Sequence, residues 1–556
     1  MSAAPTLPIT HNPYSAGWQA YLAGCIPAVV LAGWLFPLSF LAGHGLFFHD
    51  GDISNQIAGW LFFAQDAWQR PLLYTPWLNY PNGLVISQTD SLPLLALLFK
   101  PIAGLLPPGF HYFGVWHALA LLLQALGAVF LIRGLGCLRW WHGLVAAGFA
   151  VLWPVWLMRF GQSALLGQGL LLFALGAYFR GQNGPWSANL ATAVLVLLCQ
   201  VAMLVHPYLL VMSYAILLAW LLDQWRDTRQ PLLQVVRLVV ALAVTAVLAL
   251  MLGNLGHLLG PTHIGDPGQW HLNLASLWCG GYSAAWLTCH PGNSEQYAYL
   301  GAGALLVIGL ALLWRGWRLP AGVRQHLGLA SVALVLLAFA LGPRIVVANL
   351  ELIDMAFPAW WQAADQRFPA AARFVWPVTY LVFFVALATL CRRGWVGLIL
   401  VLAALALQGI DTTTRRDEIR IAARLPEAAT DPAWAPAMRG IAHVSLYPAF
   451  GCGDIDPSAY LPVQRQAALH GATFNTARAP GLQTNCDAKL GAMQHEVRPG
   501  HLYLAPAVLP AEGLPRGMVL AAQHGQCRTL PIAPVLWGVA RPQELLACRA
   551  EATDRW

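Results

Sequence analysis

The chain alternates long apolar runs with short polar turns, and the length of the runs sets the class. Runs near 21–43, 112–132, 142–158, 163–179, 188–205, 207–222, 233–256, 297–314, 326–342, 374–390 and 395–411 hold almost no charge. A helix of about 20 apolar residues crosses ~30 Å of hydrocarbon. The pattern therefore predicts a polytopic α-helical membrane protein with about eleven transmembrane helices. The run at 21–43 is long for a signal-peptide core and has no basic residue before it, so it is expected to remain as a span. Pro207 either separates two spans or kinks one.

Three polar segments are too long to be simple connections. The first covers 44–111. Within it, 53–68 reads as an amphipathic helix lying on the membrane, and the Pro-broken "DSLPLLALLFKPIAGLLP" (90–107) reads as re-entrant or interfacial. The second, 257–296, is rich in His, Gly and Trp. The third is the tail, where "HVSLYPAF", "HLYLAPAVL" and "GMVLAA" are strand candidates beside a helical "AYLPVQRQAAL". The expected organisation is a membrane domain, 1–412, and a small soluble α/β domain, 413–556, large enough for its own core. No internal repeat is visible.

Charge orients these elements. Of the 556 residues 58% are hydrophobic and 10% charged, against about 25% charged in soluble domains. The net charge is +7, but the basic residues are scattered between spans and in the tail. A nucleic-acid footprint would be clustered and interleaved with aromatics; that partner is excluded. Eleven arginines (Arg133, Arg139, Arg180, Arg226, Arg229, Arg237, Arg315, Arg318, Arg324, Arg392, Arg393) fall in one set of turns. The opposite set holds six basic residues: Arg70, Lys100, Arg159, Arg344, Arg367 and Arg373. The richer side is expected to be cytoplasmic, and an odd number of spans then exports the tail. Cys452, Cys486, Cys527 and Cys548 in the tail, with Cys279 and Cys289 in one loop, lie on that exported side. Even numbers there suggest disulfides; spacing alone does not pair the tail cysteines.

The acids follow the same asymmetry. Before residue 411, Asp50, Asp52, Asp66, Asp90, Asp266, Glu295, Glu351, Asp354 and Asp365 are on the exported side, and only Asp223 and Asp227 on the other. None falls inside a predicted span. A coupled transporter buries ionisable groups at mid-membrane. Acids gathered at one face point instead to an enzyme at the outer interface.

Five segments, "GDISNQIAGWLFF" (51–63), "YPNGLVISQTDSLPLLALLFKP" (80–101), "HPY" (206–208), "EQYAYLG" (295–301) and "RFVWPVTY" (373–380), resemble the GT-C superfamily of membrane glycosyltransferases, and within it an uncharacterised bacterial branch. "FNTAR" (474–478) is a weaker echo. The resemblance implies a bacterial inner-membrane enzyme with its C-terminal domain in the periplasm. Such an enzyme moves a sugar from a polyprenyl-phosphate carrier to a glycan, lipopolysaccharide or protein acceptor. It also implies inversion by direct displacement, with an acid in the first loop acting on the acceptor and cations near the membrane holding the lipid phosphate. Asp52 matches the acid of the "GD" motif, Asp90 that of "TDS", and Arg373 the Arg before the aromatic–Trp–Pro run. One departure is Gln162 in "RFGQS", where the branch leads one to expect His.

The residue types suit that chemistry independently. A sugar hydroxyl needs a carboxylate to take its proton, and a phosphate leaving group needs fixed cations. The catalytic candidates are Asp52, Asp50 and Asp90; the substrate-binding candidates are Arg373, Lys100, Glu295, His206, Tyr208, Gln56 and Arg159. Each has a plainer reading. Asp52 and Asp90 are placed to cap helices, Glu295 to complement a helix dipole, Lys100 to snorkel, and Arg373 to anchor a span. Asp50 is also placed to solvate its loop, and His206 to be a core histidine. The oxygens of "HDGD" are of the type that holds Mg²⁺ or Mn²⁺, but two acids are too few to predict a metal site. The competing functions are a lipid-linked-glycan flippase and a non-catalytic subunit of an envelope assembly complex.

Overall fold

Each apolar run becomes a helix in the computed structural model, which describes residues 17–556 apart from 50, 185, 256–269, 290–291, 316–323, 357, 428–430, 454–459, 480–481, 483, 532–543 and 552–555. Trp18–Leu35, Phe113–Gly134, Trp140–Met158, Ser163–Asn183, Pro207–Thr228, Pro231–Leu252, Ala371–Cys391 and Gly394–Asp411 are long and apolar enough to cross a membrane. Ala188–Met203, Ala302–Trp314 and Leu327–Leu341 cover the remaining runs and are shorter. The protein is a multi-pass α-helical membrane protein. Pro207 opens a new helix, with the His206 ring accepting from the Tyr208 N–H as its cap, so it separates two helices.

Small residues bring the central helices together. A Cβ on Gly127 would lie 2.8 Å from the Gly169 carbonyl, and one on Gly134 would lie 3.0 Å from that of Gly176. Glycine stripes on Phe113–Gly134 and Ser163–Asn183 therefore let the backbones meet, the usual device where lipid supplies no hydrophobic drive. Asp223 stands just past the predicted span 207–222, on the continuation of the same helix. It is fully buried within Pro207–Thr228 and accepts from Gly328 N at 2.8 Å and Leu329 N at 3.2 Å. In that position it satisfies the free N–H groups at the start of Leu327–Leu341. Asp411 does the same for Ala302 N at 2.9 Å.

The first loop holds helix Gly51–Gln65, whose residues Ile53 to Phe63 are all buried. It is not a surface helix, because the tail packs over it. "DSLPLLALLFKP" forms a helix of seven residues, Pro93–Phe99, followed by a 3-10 turn, Lys100–Leu105. Neither is long enough to cross. Two small sheets, β1 (Tyr74–Thr75) with β2 (Leu84–Val85) and β3 (Arg344–Val347) with β4 (Leu350–Asp354), are antiparallel pairs absent from the sequence reading.

The tail carries β5 (His443–Leu446), β6 (Thr473–Phe474), β7 (His501–Pro506), β8 (Cys527–Pro531) and β9 (Glu544–Arg549) in the order β6-β5-β7-β9-β8. β5 runs parallel to β6 and β7, and β9 is antiparallel to β7 and β8. The expected helix is Tyr460–Leu469. "GMVLAA", expected as a strand, lies instead in helix Arg516–Gln523, which buries Gly517, Met518 and Ala521 at helical spacing. The disulfides are Cys279–Cys289, Cys452–Cys486 and Cys527–Cys548. Cys25, Cys137, Cys199 and Cys391 are unpaired.

Helix Gly51–Gln65 is seated on the 86–91 turn, where the Ser91 hydroxyl donates to the Gln56 carbonyl at 2.6 Å. A Cβ on Gly59 would fall on the Thr89 and Ser91 hydroxyls. Gly59→Ala is expected to cost about 1–3 kcal/mol, the usual penalty of overpacking, seen as a lower thermal unfolding temperature. Gly104→Ala, with nothing within 4 Å of the added carbon, should leave it unchanged.

Candidate active site at the mouth of the bundle

The end of helix Trp140–Met158, the start of Gly51–Gln65, the 3-10 turn Ser294–Gln296 and helix Thr413–Ala422 surround a cavity of about 310 Å³. Its polar lining includes Asp52, Arg159, Gln162, Glu295, Arg415 and Glu418; Phe47, Ile53, Phe160 and Ile419 supply apolar wall. Such a mixture suits a ligand with a polar head and a greasy part.

Glu295 organises the polar side. Its Oε2 accepts from Arg159 Nη1 at 3.0 Å and from Arg373 Nη2 at 2.5 Å and Nε at 3.1 Å. Its Oε1 accepts from Gln162 Nε2 at 3.0 Å, and Gln162 Oε1 accepts in turn from Arg159 Nη1 at 2.8 Å. Burial works to raise the Glu295 carboxyl, but the two guanidinium charges outweigh it and hold the group below the usual carboxylate range. Arg159, 2% exposed, is pushed down to about 10 by burial, against the pull of Glu295. It stays charged at neutral pH. The dipole-complement reading of Glu295 falls away: its turn is capped by Asn293, and the following span begins only at Ala302. Gln162, standing where His was expected, supplies both the donor and the acceptor of this bridge.

Arg373 comes from the turn Ala371–Val375, at the head of helix Trp376–Cys391. Its guanidinium lies 4.8 Å from the Tyr208 ring centre, and the Tyr208 hydroxyl accepts from Ala370 N at 2.9 Å. Nδ1 of His206 accepts from a backbone N–H, so the proton sits on Nε2, which lies 3.7 Å from Asp90 Oδ1. Asp90 adopts a left-handed φ of 55°, and the next helix starts at Pro93, so Asp90 does not cap it. Burial pushes the Asp90 carboxyl up to about 7, the Asp52 charge adds to the rise, and Arg373 opposes it. Solvent still reaches 38% of the side chain, which screens the effect.

Asp52 lies in the first turn of Gly51–Gln65, after Gly51 at a φ of 58° that favours glycine. Its Oδ1 pairs with Nη1 of Arg478, from the tail, at 2.9 Å. Gln56, one turn on, is buried, and its Oε1 has no partner among the described residues. Asp50 lies outside the described residues. Lys100 is placed elsewhere, a correction to its expected phosphate role. Its ammonium sits 3.6 Å over the Phe63 ring and 4.8 Å from Trp68, and donates to the Ala67 carbonyl. Phe63 stands eleven residues from Asp52, about 16 Å along the helix. The structure thus brings Asp52, Arg159 and Glu295 into one cavity, puts Arg373, Tyr208, His206 and Asp90 beside them, and leaves Lys100 apart. Arg478, Arg415 and Glu418 were not foreseen; the only signal was Arg478 at the end of "FNTAR". Among the described residues no group of three or more His, Cys, Asp or Glu comes together. His49 of "HDGD" is turned to Glu427 at 2.9 Å.

Helices, loop and cavity together define a multi-pass helical membrane fold with a small C-terminal sheet domain. The chain belongs to the family described as a domain of unknown function, DUF6311, which matches residues 25–413; its C-terminal domain matches 433–535. No curated protein sequence matches. Among solved structures, the arabinofuranosyltransferase AftD from Mycobacteria aligns with a TM-score of 0.50 and 16% identity, over 97% of this chain and 40% of that one. ArnT from Cupriavidus metallidurans, bound to undecaprenyl phosphate, aligns at 0.44 with 12% identity, over 97% and 99% of the two chains. An Archaeoglobus fulgidus oligosaccharyltransferase aligns at 0.41 with 11% identity, over 87% and 68%. This chain spans about two fifths of the AftD length, and at such identities the likeness is one of fold.

A carboxyl raised in the folded state stabilises the fold while protonated, and that contribution is lost as pH rises through the folded value, here about 7. From the ordinary carboxylate value of about pH 4 up to about pH 7 the wild type should therefore lose thermal stability relative to Asp90→Asn, which cannot ionise, and the difference should level off above that. Parallel curves for the two proteins would show that Asp90 does not titrate there.

Proposed function

We propose that the protein is an integral-membrane glycosyltransferase that moves a sugar from a polyprenyl-phosphate carrier to an envelope acceptor at the exported face. The observation that carries this reading is the meeting of Asp52, Arg159 and Glu295 in one cavity, with Arg373 bound to Glu295 beside it. Two guanidiniums against one carboxylate leave one unit of positive charge for the carrier phosphate. In the proposed step the acceptor hydroxyl oxygen bonds to the anomeric carbon while the bond from that carbon to the phosphate oxygen breaks. Asp52 takes the hydroxyl proton, and Arg373 and Arg159 hold the departing phosphate. Attack opposite the leaving group inverts the anomeric centre. The fold shared with an arabinofuranosyltransferase supports sugar transfer as the reaction class. Lipopolysaccharide, another glycan or a protein is the proposed acceptor class.

The test uses purified protein and a labelled polyprenyl-phosphate sugar. Transfer releases free polyprenyl phosphate, whereas a flippase or an assembly subunit does not. Asp52→Asn should lower turnover about 10²–10⁴-fold, the range for a lost general base, with donor binding retained. Asp50→Asn should fall less. Near-normal turnover in Asp52→Asn would remove Asp52 from the chemistry.

We further propose a bacterial inner-membrane location with the tail in the periplasm. The six cysteines paired in the tail and in the 279–289 loop, and the unequal arginine counts of the turns, support it. Alkaline phosphatase fused after residue 412 should be active in cells. Activity of only a cytoplasmic reporter at that point would reverse the orientation and move the site with it.

A further inference from the structure

The "FNTAR" segment of the tail has no part in the reaction as described, yet it is built into the first loop. Phe474 N donates to the Trp77 carbonyl at 2.8 Å, and Tyr80 N donates back to the Phe474 carbonyl at 2.9 Å. Asn55, one turn along the helix from Asp52, donates to the Arg478 carbonyl at 2.9 Å. Lys489 Nζ and the Tyr80 carbonyl, at 2.8 Å, and Gln65 Nε2 and the Ala468 carbonyl, at 2.6 Å, fasten the same face. The backbone at 474–478 is thus fixed on the loop helix, and Arg478 is delivered to Asp52 by main-chain contacts rather than by chance of a long side chain.

The other charged groups around Asp52 are engaged elsewhere. Arg159 is held by Glu295 and Gln162, and Arg415 pairs with Glu418 at 2.8 Å and donates to the Leu157 carbonyl at 3.3 Å. Asp90 carries the same sign as Asp52 and faces His206. Among the described residues Arg478 is the cation paired with Asp52, through Oδ1 alone, and Oδ2 has no partner there.

We propose that Arg478 is a positioning residue for the transfer step: it grips one oxygen of Asp52 and so aims the other at the acceptor hydroxyl. The C-terminal domain then completes the active site instead of merely covering it. This inference rests on the reading of Asp52 as the base.

The experiment compares full-length wild type, Arg478→Ala, Arg478→Lys, Asp52→Asn and the Asp52→Asn/Arg478→Ala double variant, using the labelled-donor assay and limited proteolysis of the tail. Arg478→Ala should lower kcat roughly 10- to 100-fold, the scale for a misplaced catalytic group, with the donor KM within about twofold. Arg478→Lys should recover most of that loss, and protection of the tail should be unchanged in both. In the Asp52→Asn background the second substitution should do nothing further, since both act through one carboxylate. Unchanged or increased kcat in Arg478→Ala, or losses that multiply in the double variant, would overturn the positioning role while leaving Asp52 as base. Equal losses in Ala and Lys variants, with the tail released to protease, would reduce Arg478 to a docking contact. Full activity in Asp52→Asn would overturn the base itself, and the inference with it.

Discussion

One carboxylate, Glu295, holds the mouth of this bundle together. Arg159 and Arg373 are almost wholly buried and would repel each other without an anion between them. Burying each charge alone costs several kcal/mol, and removing one partner from such a group costs about 3–5 kcal/mol. Glu295 meets both guanidiniums, and Gln162 fills its second oxygen. Three distant stretches of chain, after Met158, at 294–296 and at 371–375, are thereby pinned at one point. Because two arginines meet one acid, the same device that fixes the geometry leaves this cluster with one positive charge.

The second constraint is the seating of the tail. Helix Gly51–Gln65 sits between the tail helix Tyr460–Leu469 and the other elements of the first loop, with the turn at 86–91 beneath it. A helix buried on all sides cannot drift, so Asp52 at its start is held relative to the arginine cluster. Arg465 and the His49–Glu427 pair tie the entry to that helix to the tail as well.

How far this was legible varies by residue. Period and length of the apolar runs located the helices, since the bilayer fixes both. Asp52, Asp90 and Arg373 could be named because they match motifs of the superfamily the chain resembles, and Glu295 because acids before the tail are few and it stands beside a span. The burial of Gly51–Gln65 could not be read, because its outer face is covered by residues some 400 positions away. Lys100 misled for a related reason: nothing local says that Phe63 and Trp68 will enclose it. "GMVLAA" was misread because six apolar residues are too few to separate a helix from a strand by period. Arg478 and Gln162 needed the third dimension; each acts through a partner far off in sequence.

The central claim is that the acid and the arginine cluster address one ligand at one cavity. Electron microscopy of the purified protein with polyprenyl phosphate tests this most directly. The account predicts phosphate density at the cavity bordered by Asp52, in contact with Arg373 or Arg159. A carrier phosphate bound away from both arginines, with this cavity empty of it, would contradict the account.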